Sequence, residues 1–364
     1  MHPFPPPLRR PLVAAAALLA ASAAPAQSQV TLYGLASTAV RYTHNIDARH
    51  HHKSELVGSG IGGSRIGLRG QEDLGGGNKA VFTLEHGVAM DSGASANAAT
   101  FWDRQAFVGL QGDWGQLSLG RQYNALNNVA WEFNPLDQTW GIFWSDPVYL
   151  GGDVFYQGYR IDNSVVYQQQ IGPVKLQLDY GFGEQPGSAR RGQTLGAGAL
   201  YRDGALALGV AYDQQRSASG AGTERTYALA GSYAFGATTA YAGYLAHRES
   251  ASHARQDIAY VGLGRQLTPA LHLSGAWYHY RQNRNVTTQY QATPLLLGSG
   301  RANALAAVLD YALSKRTSLY LSLDAVRLHD GAVGRETEYW AGAAATGVHR
   351  STRIGTMAGI RHSF

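Results

Sequence analysis

Three stretches of this sequence hold residue types that could do chemistry. His50-His51-His52, with His44 nearby, offers imidazoles of the kind that bind transition metals, but the tract falls in a long connection and reads as solvated. Gly58–Gly63 (GSGIGG) fits the G-x-G-x-x-G pattern of a dinucleotide loop, yet a strand and not a helix follows it, so the phosphate-binding geometry is missing. The third is residues 122–159, which include Trp131, Glu132, Pro135, Asp137, Trp140, Trp144, Asp146 and Pro147. A connection that long without periodicity is rare in a compact domain unless it has a task. Its aromatic residues argue that it packs against something, and we expect it to fold into the bore of a barrel and narrow it. No nucleophile or water-activating group stands in a motif of the kind a protease or lipase barrel needs, so no enzyme, cofactor or metal site is expected.

The elements that must position these residues follow from composition and period. Residues 1–26 resemble an export signal: Arg9 and Arg10 precede the apolar run 12–21, and Ala24-Pro25-Ala26 marks cleavage before Gln27. Removing them takes away two arginines and no acid, leaving 28 basic against 25 acidic residues, net +3. That near balance argues against a nucleic-acid partner. There is no cysteine, so an exported chain must rely on pairing and packing. No later stretch approaches the roughly 20 apolar residues of a membrane helix. Glycine (45) and tyrosine (21) are plentiful, and no linker divides residues 27–364. The profile suits a transmembrane barrel, whose strands show only every second residue to lipid, and equally a secreted all-β protein.

Periodicity decides between them. Val174, Leu176, Leu178 and Tyr180 alternate with Lys175, Gln177 and Asp179. Leu319, Leu321 and Leu323 alternate with Ser318, Tyr320, Ser322 and Asp324. Strict period two means strands with one apolar face. Sixteen such segments lie near 29–42, 64–73, 78–90, 103–112, 115–123, 160–170, 174–181, 193–202, 204–213, 225–235, 237–247, 256–266, 270–281, 302–313, 316–328 and 351–364. Long connections (43–63, 91–102, 122–159, 182–192, 214–224, 248–255, 282–301, 329–350) alternate with tight ones throughout. The expected fold is all-β, a 16-stranded antiparallel up-and-down transmembrane β-barrel with an inward-folded third loop. Closure is required because an open edge in lipid leaves backbone groups unsatisfied, and sixteen strands leave a water-filled channel. Parity puts Ile66 and Leu68 towards lipid, so Arg65 and Arg69 face the lumen, as does Glu85 in phase with Val81 and Thr83.

Several segments, in order along the chain, resemble the general porins of Gram-negative bacteria, especially the β-proteobacterial branch. They are residues 30–34 (VTLYG), 64–77 (SRIGLRGQEDLGGG), 79–85 (KAVFTLE), 104–112 (RQAFVGLQG), 119–122 (LGRQ), 160–167 (RIDNSVVY) and 359–364 (GIRHSF). The resemblance implies a homotrimer in the outer membrane, in contact with outer-membrane lipid and lipopolysaccharide, and passive diffusion of small anions and hydrophilic solutes. It also implies that the terminal Phe364 is the signal read by the barrel-assembly machinery. Its motifs carry a constriction onto Arg65, Arg104 and Arg160, with Arg69, Arg41 and Arg121 as further basic candidates and Arg361 beside them. The facing acids would be Glu132 and Asp137 on the loop, with Glu85 on the wall. Arg104 shares phase with Ala106, Val108 and Leu110, so it reaches the lumen only if the strand start is irregular. Leu35-Ala36-Ser37 stands where family members often carry a charge. A substrate-specific channel with stacked aromatics, open to Trp131, Trp140 and Trp144, is the alternative.

Overall fold

A computed structural model of the chain describes residues 29–46, 50–136, 160–283, 298–332 and 351–364. The export segment 1–26 and the second part of the third connection, 137–159 with Asp137, lie outside the described residues. Alternating sequence becomes strand wherever it was read so. The chain opens with β1 (Gln29–His44), β2 (His52–Val57), β3 (Arg65–Gly75) and β4 (Asn78–Gly87). β5 (Gln105–Gly112) and β6 (Gly115–Tyr123) lead into a helix, α1 (Ala125–Glu132). The wall continues with β7 (Arg160–Ile171), β8 (Val174–Gly181), β9 (Thr194–Asp203), β10 (Leu206–Arg216), β11 (Thr223–Phe235) and β12 (Thr238–Glu249). It ends with β13 (Arg255–Thr268), β14 (Leu271–Gln282), β15 (Gly300–Ala312), β16 (Thr317–Asp330) and β17 (Thr352–Ser363).

From β3 onward each strand pairs antiparallel with the next, and β17 returns to β1 in register from Leu35↔Ser363 to His44↔Ile354. The other edge of β1 is shared. Its first half pairs with β3 (Gln29↔Gln71 to Leu35↔Arg65) and its second half with β2 (Ala39↔Val57 to His44↔His52). Part of the connection expected at 43–63 is therefore wall, and β2 and β3 are two halves of one interrupted strand. Counted so, the barrel is closed with sixteen strands. The break is the GSGIGG segment, and its use is steric. A Cβ at Gly60 would overlap the Tyr320 hydroxyl, which donates to the Thr38 carbonyl at 3.1 Å. Gly60 N–H in turn donates to Ser37 Oγ (3.2 Å), closing the gap in the ladder.

Tight turns gather at one end of the barrel, between β3 and β4, β5 and β6, β7 and β8, and so on to β15 and β16. Gln29, the first described residue, and Phe364 lie there too. Phe364 and Gly34 exchange backbone hydrogen bonds (3.0 and 3.1 Å), and Ser363 N–H donates to Arg316 O in the last tight turn. The two faces of the wall differ as the pattern requires. Leu319, Leu321 and Leu323 are 42–53% exposed, whereas Ser322 and Asp324 between them are at most 4% exposed. An apolar outer face is what lipid demands. Leu323→Arg should cost about 2–4 kcal/mol, the depth-dependent penalty of a charge on the lipid face, read as a lowered midpoint of urea unfolding in lipid vesicles.

Candidate functional site

The third long connection begins at Asn124, which caps α1 by accepting the Asn127 N–H on its side-chain oxygen at 2.8 Å. The helix buries Leu126, Val129 and Ala130, and the chain beyond it buries Phe133 and Leu136. These side chains lie on β9, β10 and β13, on the face opposite the exposed Leu208, Val210 and Val261. The wall is made low enough to receive them. A Cβ at Gly209 would overlap the Phe133 ring, and one at Gly262 would come within 2.6 Å of Pro135. Polar anchors fix the ends. Ala125 N–H donates to Asp179 Oδ1 (2.8 Å), Asn124 Nδ2 to Asp213 Oδ2 (3.3 Å), and Tyr260 OH to the Phe133 carbonyl (3.2 Å). Asp179 and Asp213 flank Gly196, their common register partner.

Facing this segment, the three arginines carried by motif converge. Arg104 Nε donates to Glu85 Oε1 at 2.7 Å, and Arg65 Nε lies 3.4 Å from Glu85 Oε2. Tyr33 OH donates to the same Oε2 at 2.9 Å. A second hub is the Tyr123 hydroxyl, which accepts from Arg104 Nη2 (2.9 Å) and Arg160 Nη2 (3.2 Å) while its ring lies 5.0 Å under the Arg160 guanidinium. Arg65 Nη1 is held by the Gly63 carbonyl at 2.9 Å. Two guanidiniums are thus fixed on the Glu85 carboxylate and a third on Tyr123, so among the described residues these side chains carry more positive than negative charge. Arg65, Glu85, Arg104, Tyr123, Trp131 and Glu132 line a cavity of about 460 Å³, and Lys175 adds another cation to it. A second cavity, about 340 Å³, holds Leu35, Asp310, Lys315 and Arg361 and meets the first at Arg65 and Trp131.

The awkward phase of Arg104 has a simple cause. β5 starts at Gln105, and Arg104 precedes the ladder, with Asp103 accepting the Gly87 N–H at 2.6 Å. Other candidates stand elsewhere. Arg41 is fully buried and gives its Nη2 to Asp324 Oδ1 (2.8 Å), a carboxylate that also holds Arg353 (2.5 Å), so it lines neither cavity. Arg121 is not lumenal. It shares the outer face with Leu117 and Leu119 by simple alternation and pairs with Asp162, beside the point where β7 carries an extra residue against β6. Arg361 faces inward and pairs with Asp310 at 2.9 Å. Arg69 lies exposed with its guanidinium 5.2 Å from the Tyr33 ring centre. Glu132 borders the same cavity as Arg65 and Arg104, but its ion pair is with Arg202, not with them. Tyr123 and Arg202 escaped the sequence reading. Tyr123 follows the register shift between Gly120 and Gln122, and Arg202 was read as the edge of a tight turn.

Tyr123→Phe removes the acceptor shared by two guanidiniums. A hydrogen bond to a charged group is worth about 1.5–3 kcal/mol, so Arg104 and Arg160 should loosen without losing charge. Single-channel recordings should show more current noise, with the sign of ion selectivity unchanged.

Comparison with known proteins agrees with this geometry. A family model described as Gram-negative porin matches residues 13–331. Outer membrane porin protein 32 of Delftia acidovorans is 31% identical over 368 residues, 98% of this chain and 100% of that protein. An outer membrane porin protein of Bordetella pertussis is 32% identical over 254 residues, 61% of this chain and 65% of that protein. Among solved structures, the anion-selective porin from Comamonas acidovorans superposes with a TM-score of 0.73 at 26% identity, covering 93% of this chain and 100% of that one. With a closed sixteen-stranded barrel, an apolar outer belt and a charged interior, the chain belongs to the Gram-negative porin family: it is an outer-membrane porin, a water-filled path for small hydrophilic solutes.

Proposed function

We infer that this porin passes anions in preference to cations, and that residues 122–159 form its constriction. One observation carries the inference: Arg65, Arg104 and Arg160 are gathered on Glu85 and Tyr123, so that among the described residues guanidiniums outnumber carboxylates where the bore meets α1. The surplus lowers the entry barrier for anions through its summed potential, which decays over a Debye length of about 10 Å at 0.1 M salt. Guanidinium N–H groups replace part of an anion's hydration shell. Because Glu85 and Tyr123 also claim those groups, binding stays weak enough for the ion to leave. Trp131 and Glu132 form the facing side. The similarity to an anion-selective porin supports the same preference.

The remaining roles rest on the family. The working unit is a homotrimer, residues 1–26 are the export signal, and Phe364 is the residue read by the assembly machinery; its place against Gly34 suits a residue that closes the barrel last. The substrate-specific alternative rests on Trp131, Trp140 and Trp144; the latter two lie outside the described residues, and Trp131 meets Tyr123 edge to face (6.1 Å, 71°). Proteoliposome swelling in solutes of matched size tests the preference. Anionic sugar acids should enter faster than neutral sugars, and neutral sugars faster than amino sugars. The reverse order would overturn it.

A further inference from the structure

We propose that the amide-lined space between α1 and β5–β8 is a saturable binding site for polyhydroxylated monocarboxylates of the size of a hexuronate. The proposal rests on the anion preference inferred above and adds the chemistry of the solute. From Arg104 towards the tight turns, the inward residues of these strands are mostly amides. They are Gln105 on β5, Gln116 on β6, Gln168 on β7, and Lys175 and Gln177 on β8. Register sets them side by side, Gln116 opposite Gln168 and Gln168 opposite Gln177. Asn127, Asn128 and Trp131 of α1 close the other side, and all of these but Gln177 border the cavity of about 460 Å³ that also holds Arg65 and Arg104.

Gln177 organises the amides around it. Its Oε1 accepts from Asn128 Nδ2 (2.7 Å) and Gln168 Nε2 (2.8 Å), while its own Nε2 donates to the Tyr123 carbonyl (3.1 Å). Both neighbouring amides therefore turn their NH₂ groups to Gln177 and leave their oxygens, Asn128 Oδ1 and Gln168 Oε1, without a hydrogen-bond partner among the described residues. Asn127 is 3% exposed, yet its side-chain amide makes no hydrogen bond among the described residues. A buried amide left unpaired is costly, so one that borders a cavity is matched to what enters it. The side chains of Gln105 and Gln116 and the Trp131 indole N–H are unclaimed in the same sense.

This inventory selects the solute. Free amide oxygens need a donor and free amide N–H groups an acceptor, and a hydroxyl is both. Chloride or an alkyl carboxylate can use the donors only. Lys175 supplies the charge: it has no ion pair or hydrogen bond among the described residues, whereas Arg65, Arg104 and Arg160 are already engaged by Glu85 and Tyr123. Phe107 on the wall and Trp131 on α1 add apolar surface for the C–H faces of a ring. A few placed polar groups within partly apolar walls make a small-molecule site, and the volume lies in the usual range of about 300–1,000 Å³. One carboxylate, several hydroxyls and a saturated ring meet all these groups at once.

The test is the chloride conductance of the purified full-length protein in a planar bilayer at neutral pH, with D-glucuronate and cyclohexanecarboxylate as probes. Both carry a six-membered ring and one negative charge, and they differ in their hydroxyls. Glucuronate should lower the conductance saturably, at a half-effect concentration about tenfold or more below that of cyclohexanecarboxylate, as one or two net hydrogen bonds would give. Asn127→Leu with Gln168→Leu should remove that difference, and Lys175→Gln should raise the half-effect concentration of glucuronate about threefold or more. Equal responses of the wild type to the two probes overturn the proposal without any variant being needed. So does methyl glucoside acting as strongly as glucuronate, which would make this a neutral-sugar site with no part for Lys175, or a double variant that still discriminates fully. The zero-current potential in the same bilayers reads the anion preference separately: an anion-preferring wild type that does not tell the probes apart overturns the site alone, and a cation-preferring one overturns both readings.

Discussion

Replacing Arg65 and Arg104 together by glutamine should abolish the anion preference and give a weakly cation-selective pore. Both side chains reach Glu85, one as a hydrogen bond of 2.7 Å and one as an ion pair of 3.4 Å. With both neutral, the Tyr33 hydroxyl is the remaining direct partner of the Glu85 carboxylate among the described residues, and Glu132 remains across the cavity. A unit charge about 6 Å from a passing ion contributes on the order of 1 kcal/mol or more at an effective dielectric near 20 once salt screening is included. Two such losses correspond to about tenfold or more in the anion-to-cation permeability ratio. The single variants should fall between, with Arg104→Gln the larger because Arg104 also reaches Tyr123. The reversal potential at a fixed salt gradient reads the ratio directly, and the effect should shrink in molar salt.

Gly209→Val should disturb the pore without touching a charge. The site lies in regular β10, so valine suits the backbone, yet its Cβ would overlap the Phe133 ring and come 2.9 Å from Val129. Neither neighbour can retreat into the wall, so the segment 129–133 must lift away from it. Overpacking of this kind costs about 1–3 kcal/mol, and it works against the polar anchors of α1 at Asp179 and Asp213 before it and Tyr260 beyond it. Unit conductance should fall and open-channel noise should rise, while folded yield and trimer heat stability change little. Gly275→Ala, where the nearest atom to a new Cβ is Ala306 O at 3.5 Å, is the matched substitution that should do neither.

The barrel was legible because a wall between lipid and water writes its two faces into every second residue, and because turns and loops segregate to opposite ends. Sixteen strands, a first and a last strand that meet at the tight-turn end and the inward phase of Arg65 followed from that alone. What alternation cannot show is where it breaks. The interruption at residues 58–64 hid β2, since glycine-rich sequence reads as loop whether or not flanking strands bridge it. Arg121 stays in phase with the outward Leu117 and Leu119, which the motif alone did not reveal, and β5 starts at Gln105 rather than 103, which frees Arg104 to turn inward. Ion pairs between residues far apart in the sequence were equally hidden. Glu132 meets Arg202, seventy residues away, and Arg41 is absorbed by Asp324, 283 residues away, because the curvature of the sheet and not any local pattern sets those distances.

The central claim, an anion-preferring diffusion pore governed by the guanidinium cluster, is tested most directly by the zero-current potential of purified protein in a planar bilayer under a potassium chloride gradient. The account requires the sign of a chloride-selective channel in the wild type and movement through zero when Arg65 and Arg104 are both neutralised. A potassium-selective sign in the wild type would contradict it and would assign control of the bore to Glu85, Glu132 and their acidic neighbours.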